Sequence, residues 1–196
     1  PALIKTIVSS NMTDRICEYY GVELFLALTG FKNIAARIRQ FEASNSNTYI
    51  MGYEESYGCL IGTHARDKDG LIAVMMLCEI AAYYKNRGLT LWDVIQKMYE
   101  KYGYYKEDQI SVVLEGADGA VKIQEMMKNM RNNPPEKLGK YKVLKIMDCS
   151  SGIEKDIMTG EETKIDLPKS NVLRYTLEND CWCAVRPSGT EPKIKL

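Results

Sequence analysis

Apolar and polar positions fall into blocks along the amino-terminal half of the chain, and the blocks have the lengths of strands and helices in turn. Residues 2–9 are apolar and β-branched enough for a buried strand, 12–20 have helical spacing stopped by Gly21, and 22–28 are strand-like again. That order, with short connections, predicts a parallel α/β unit. Thr29-Gly30-Phe31-Lys32 turns into a helix over 33–42, and a polar loop then leads to a short strand over 48–51. Residues 71–87 are apolar on nearly every side, which predicts a helix packed deep within a layered domain and ended by Gly88. Thr90, with Asp93 three residues later, has the form of a capping box opening a second helix that Gly103 ends.

The pattern changes near Tyr104. Residues 108–115 alternate as a strand, and 118–132 carry helical spacing through Val121, Met126, Met127 and Met130 until Asn133-Pro134-Pro135 breaks it. Strands follow over 141–147 and 171–177, separated by a polar segment, 150–169, expected as a mobile hairpin or loop. Residues 181–185 and 193–196 bracket a last loop. The expected fold class is therefore α/β plus α+β: a layered α/β domain with a mostly parallel sheet over 1–104, then a smaller α+β domain over 105–196. No internal repeat or low-complexity tract interrupts this layout.

Composition narrows the function classes. The 196 residues suffice for one large or two small domains, and 26 acidic residues balance 26 basic ones, so no net field draws the chain to nucleic acid or an anionic membrane. Small-molecule work is the expectation. The six cysteines form no CxxC pair and several lie in apolar runs, which suits reduced thiols in a cytoplasmic protein. The apolar stretch 71–82 is interrupted by Glu79 and is too short to span a bilayer. Pro1 in place of a methionine, and an end at Leu196 directly after an alternating stretch, read as cuts through a longer polypeptide.

Three stretches could carry chemistry. Arg186-Pro187-Ser188-Gly189-Thr190-Glu191-Pro192-Lys193 joins two strands and holds a guanidinium, two hydroxyls and a glycine backbone that amide groups could bring close to an anion. Those parts suit a phosphate, although Pro and Gly also shape ordinary polar turns. Gly52-Tyr53-Glu54-Glu55-Ser56-Tyr57-Gly58 follows a buried strand end, where ligand sites of open α/β sheets lie. Its carboxylates could accept from neighbouring sugar hydroxyls while the tyrosines cover the sugar's apolar face; the alternative is a solvated acidic loop. Thr63-His64-Ala65-Arg66-Asp67-Lys68-Asp69-Gly70 could line an anionic site, or its cations could pair with neighbouring carboxylates while His64 satisfies a backbone group.

Lys32 is a further candidate at a helix start, where a lone lysine is ordinarily solvated. Cys181 and Cys183 share one face of a strand, but two thiols without further ligands nearby do not make a zinc site, and they read as core. The Met126 to Met130 stretch reads as core as well.

Taken in order, Thr29-Gly30-Phe31-Lys32, the stretch Gly52 to Gly58, Arg66-Asp67-Lys68-Asp69-Gly70 and the stretch Arg186 to Lys193 resemble the α-D-phosphohexomutase family, in particular its bacterial phosphoglucomutases. The resemblance implies four domains around a cleft, with 1–104 standing for the third, without its start, and 105–196 for a truncated fourth of TATA-binding-protein-like fold. It further implies that Glu54 and Ser56 grip two ring hydroxyls and that Lys32, His64, Arg66 and Lys68 lie near the sugar or its phosphate. Arg186, Ser188, Gly189 and Thr190 would hold the phosphate not being transferred. Tyr57 stands where many members carry a smaller residue.

The implied reaction interconverts glucose 1-phosphate and glucose 6-phosphate through a phosphoserine and glucose 1,6-bisphosphate, with Mg2+. The family's phosphoserine loop and aspartate-rich magnesium loop belong to its first two domains, and this sequence contains neither Ser-His-Asn-Pro nor Asp-x-Asp-x-Asp. No catalytic nucleophile or metal ligand is thus expected in this chain. Its expected partners are a hexose phosphate and the amino-terminal domains of the same polypeptide. Two readings stand beside it: a phosphomannomutase or other phosphohexomutase fragment, and a non-catalytic sugar-phosphate-binding module.

Overall fold

Short apolar strands joined by amphipathic helices build the first part of the chain, in a computed structural model that describes residues 1–115, 118–189 and 191–196. Two units divide at residue 107, Pro1–Glu107 and Asp108–Leu196. In the first, β1 (Ala2–Thr6), α1 (Met12–Tyr20), β2 (Glu23–Ala27), α2 (Phe31–Ser44), β3 (Tyr49–Tyr53), β4 (Cys59–Ile61), α3 (Gly70–Lys85) and α4 (Leu91–Tyr102) follow in turn. The sheet order is β2-β1-β3-β4. β1 runs parallel to both β2 and β3, with Ile4 opposite Phe25 and Gly52, while β4 returns antiparallel to β3.

Because β2 and β3 flank β1 on opposite sides, right-handed crossovers put α1 and α2 on opposite faces of the sheet. The α2 face is the apolar core: Ile34, Ile38 and Phe41 pack on Ile4, Ala27 and Leu60. Gly52 makes that approach possible, since a Cβ there would stand 2.8 Å from Ile34 Cγ2 and 2.9 Å from Tyr49 Oη. Burying this layer is the main stabilising term of the unit. The α1 face is tied by polar groups, because the buried Lys5 ammonium donates to Ser10 O at 2.9 Å and pairs with Asp14 of α1.

The helix over 71–87 forms but is not buried. No residue of α3 is enclosed, and Leu71 is 84% and Val74 62% exposed. Apolar composition states what a helix would bury, whereas burial requires neighbours; α3 packs against β4 and α4, which leaves its outer side uncovered among the described residues. At sixteen residues α3 is also too short for a bilayer, and no described helix is long and apolar enough to cross a membrane.

In the second unit β5 (Ser111–Val113) and α5 (Gly119–Asn132) precede β6 (Lys137–Leu138), β7 (Tyr141–Asp148), β8 (Ile153–Asp156), β9 (Glu162–Lys164), β10 (Leu173–Leu177), β11 (Trp182–Pro187) and β12 (Lys193–Lys195). The antiparallel order is β5-β12-β11-β10-β7-β8-β9, with β6 beside β7. Ile123 and Met127 of α5 cover Leu173, Tyr175, Val185 and Ile194. The segment 150–169 forms the β8–β9 hairpin and extends the sheet. Cys181 and Cys183 pack against this core, and all six cysteines are free. An α/β layer followed by an α+β unit is the class that the periodicity predicts.

Candidate functional site

The carboxyl ends of the parallel strands β1 and β3 lie side by side, so the segments leaving them meet. They enclose a cavity of about 550 Å3 lined by Ser9, Ser10, Tyr53, Glu54, Glu55 and Tyr57, among others. Backbone geometry shapes one wall: Glu54 N–H donates to Gly58 O at 2.8 Å, closing the loop between β3 and β4 into a tight turn. Tyr57 adopts φ 64°, a left-handed conformation uncommon for a side chain with a Cβ.

Glu54 is the residue this loop turns inward. It is 5% exposed, and Lys68 Nζ donates to its Oε1 at 2.7 Å. A carboxylate so enclosed requires a charged or hydrogen-bonding partner, and Lys68 supplies it. The same contact holds the Lys68 ammonium above its ordinary pKa, first by the hydrogen bond and then by the charge of Glu54. Gly58 lets the two meet, because a Cβ there would lie 2.6 Å from Lys68 Cδ and 2.7 Å from Glu54 Oε1.

Glu55 is held from the other side. Thr6, fully buried at the end of β1, donates its hydroxyl to Glu55 Oε2 at 2.9 Å and shares a 2.8 Å hydrogen bond with Ser9. Tyr53 is tied by its hydroxyl to Thr13, and burial pushes its pKa up. None of Thr6, Ser9 and Ser10 was singled out from the sequence. The available sign was two hydroxyls, Ser9-Ser10, directly after a buried parallel strand.

The other expected residues are placed differently. Ser56 is exposed at the loop's tip, and Lys32 is exposed in the first turn of α2; neither lines the cavity. His64 Nε2 lies 2.9 Å from Asp69 Oδ2, so its partner is a side-chain carboxylate rather than a backbone group. Arg66 bonds Glu42 at 2.6 Å and the carbonyls of Thr63 and Ala65 at 2.7 and 2.9 Å. The cations of this stretch are thus paired, and together they brace the segment that carries Lys68. Asp69 is the N-cap of α3, accepting from Leu71 N at 2.8 Å and Ile72 N at 3.3 Å. His64, and then those amides, hold its carboxyl below the usual range.

In the second unit Ser188, Gly189 and Glu191 line a separate cavity of about 300 Å3 with Ile123 and Gln124 of α5. Ser188 N–H donates to Lys193 O at 2.8 Å, which sets the width of the loop. Gly189 is exposed, and a Cβ there would meet nothing within 4 Å among the described residues. Arg186, partly buried near the end of β11, pairs in register with Lys195. Lys193 bonds Glu191 and lowers that carboxyl's pKa. Thr190 lies outside the described residues. Among the described residues no three His, Cys, Asp or Glu side chains converge to hold a metal ion.

The chain thus combines a layered α/β unit, with an acidic cavity at its strand ends, and an antiparallel unit with an exposed polar loop. Residues 1–102 match the family described as phosphoglucomutase/phosphomannomutase, alpha/beta/alpha domain III. The chain belongs to this family. Over 194 residues it is 37% identical to the phosphoglucomutase of Staphylococcus saprophyticus and 39% identical to that of Staphylococcus aureus. Each alignment covers 99% of this chain and 35% of the relative, so the chain spans about a third of their length. Among solved structures, the open form of the Paramecium phosphoglucomutase pp63/parafusin superposes with a TM-score of 0.66 at 20% identity, covering 99% of this chain and 32% of that one. That likeness is one of fold.

Proposed function

We propose that this chain is the sugar- and phosphate-gripping part of a phosphoglucomutase and works with the amino-terminal domains of the same polypeptide. In this reading the whole enzyme is cytoplasmic. It interconverts glucose 1-phosphate and glucose 6-phosphate through a phosphoserine and glucose 1,6-bisphosphate, with nucleophile and Mg2+ ligands outside these residues. The observation that carries the reading is Glu54, an enclosed carboxylate at the strand ends, fixed by Lys68 on the wall of an otherwise acidic cavity.

Such a group is pre-organised to accept hydroxyl protons, because one oxygen is already committed to Lys68 and the direction of the other is thereby set. Ser56 at the tip adds a hydroxyl that can donate or accept. Two hydroxyl contacts that do not touch the reacting phosphate suit a substrate that must bind in either of two orientations. In the second unit Arg186 would supply the forked cation, and Ser188, Thr190 and the backbone of Gly189 the remaining donors, for the phosphate not being transferred. Lys32 would add positive potential, and His64 and Arg66 would act through the segment bearing Lys68.

A titration of the 196-residue chain with glucose 1-phosphate, followed by amide chemical shifts, tests the reading. Perturbations are expected at 54–58 and at 186–189. Arg186→Ala should weaken binding of glucose 1-phosphate and of inorganic phosphate alike by about tenfold, the loss of one charge-assisted contact. Ser56→Ala should weaken only the sugar phosphate. Unperturbed shifts at millimolar ligand would sink the reading.

A further inference from the structure

Two tyrosines flank the Glu54-Glu55 pair, and the structure treats them oppositely. Tyr53 is tied to Thr13 through its hydroxyl and is partly buried. Tyr57 is 99% exposed, its backbone is left-handed, and it is one of the residues that line the acidic cavity. A side chain so exposed contributes almost nothing to burial, and a left-handed backbone costs free energy for any residue with a Cβ. For the fold alone, glycine would serve better at this position.

The neighbours impose that conformation. The turn is closed by Glu54 N–H to Gly58 O at 2.8 Å, Glu54 is held by Lys68 at 2.7 Å, and Glu55 is held by Thr6 at 2.9 Å. With both carboxylates anchored and the turn closed, Tyr57 takes the reversal of the chain, and its side chain stands in solvent beside the cavity instead of against the protein. Strain over-determined by its surroundings at the edge of a cavity that carries carboxylates among apolar groups is the pattern of a ligand clamp.

We propose that Tyr57 is a specificity residue: its ring covers the apolar C–H face of a hexopyranose whose hydroxyls are held by the loop below. The inference rests on the sugar-binding reading and sharpens it to the glucose configuration. On one face a glucopyranose ring offers the axial C–H bonds of carbons 2 and 4, and this is the face Tyr57 covers; mannose places its axial carbon-2 hydroxyl on that same face. The aromatic face therefore favours glucose phosphates over mannose phosphates, by about fivefold for one such ring contact.

The test is a titration of the 196-residue chain and its variants with glucose 6-phosphate and, separately, mannose 6-phosphate, read by chemical shifts, with thermal midpoints measured in parallel. Tyr57→Gly should bind glucose 6-phosphate about fivefold more weakly, lose the preference over mannose 6-phosphate, and melt no lower than the unsubstituted chain. Tyr57→Phe should keep both affinity and preference. If the unsubstituted chain binds and Ser56→Ala weakens it, but Tyr57→Gly binds both sugars unchanged, the sugar-binding reading stands and the role of Tyr57 is overturned. If the unsubstituted chain binds neither sugar phosphate, the reading falls and takes this inference with it.

Discussion

At Gly58 the missing side chain is what brings Lys68 to Glu54. A methyl group there would collide with Lys68 Cδ and Glu54 Oε1, and the flexible lysine is the part that can yield. Gly58→Ala should therefore leave the fold intact yet displace Lys68, weakening glucose 1-phosphate by about tenfold while inorganic phosphate binds as before. The same titration checks it. Tyr175 is a contrary case in the second unit. Among the described residues its hydroxyl is buried without a hydrogen-bond partner, and burial pushes its pKa up to about 12. Tyr175→Phe removes an unsatisfied polar group at nearly constant shape and should raise unfolding free energy by about 1 kcal/mol, measurable by denaturant titration. Neither point was visible in the sequence, because each depends on which atoms arrive from distant positions.

Among the elements, α3 separates local from non-local information. The apolar run that forms it was legible, and the structure adds Asp69, which caps it through two backbone amides. Because folding lowers the pKa of Asp69, its stabilising effect is present above the ordinary carboxylate range and is lost as pH falls through the folded value. Asp69→Ala should lower the melting temperature at neutral pH, and the difference from the unsubstituted chain should close in acid, a comparison that thermal melts across pH would check. Gly21 at the end of α1 and the Thr90–Asp93 capping box of α4 were likewise readable, since caps are made within a few residues. The burial of α3 was not, because it depends on neighbours. β4 escaped notice for a related reason: three residues, Cys59–Ile61, become a strand only through pairing with β3.

For the whole molecule, the chain carries the two loops proposed to bind the ligand and neither the Ser-His-Asn-Pro nor the Asp-x-Asp-x-Asp motif. Recognition without a phosphoryl donor should give no turnover. A coupled assay for glucose 6-phosphate formation from glucose 1-phosphate, with glucose 1,6-bisphosphate and Mg2+ supplied, is expected to stay at background, and robust conversion would overturn the assignment of nucleophile and metal ligands to other residues. The alternation of strand and helix, the class of each unit and the position of the two loops were determined by the sequence alone, because periodicity and turn chemistry are short-range. Only the tertiary structure decided that Lys68 serves Glu54, that Arg66 serves Glu42 and His64 serves Asp69, and that Thr6 reaches Glu55. Those pairings join residues from separate elements, and a charge acquires its partner only when the backbone has brought both to within hydrogen-bond reach.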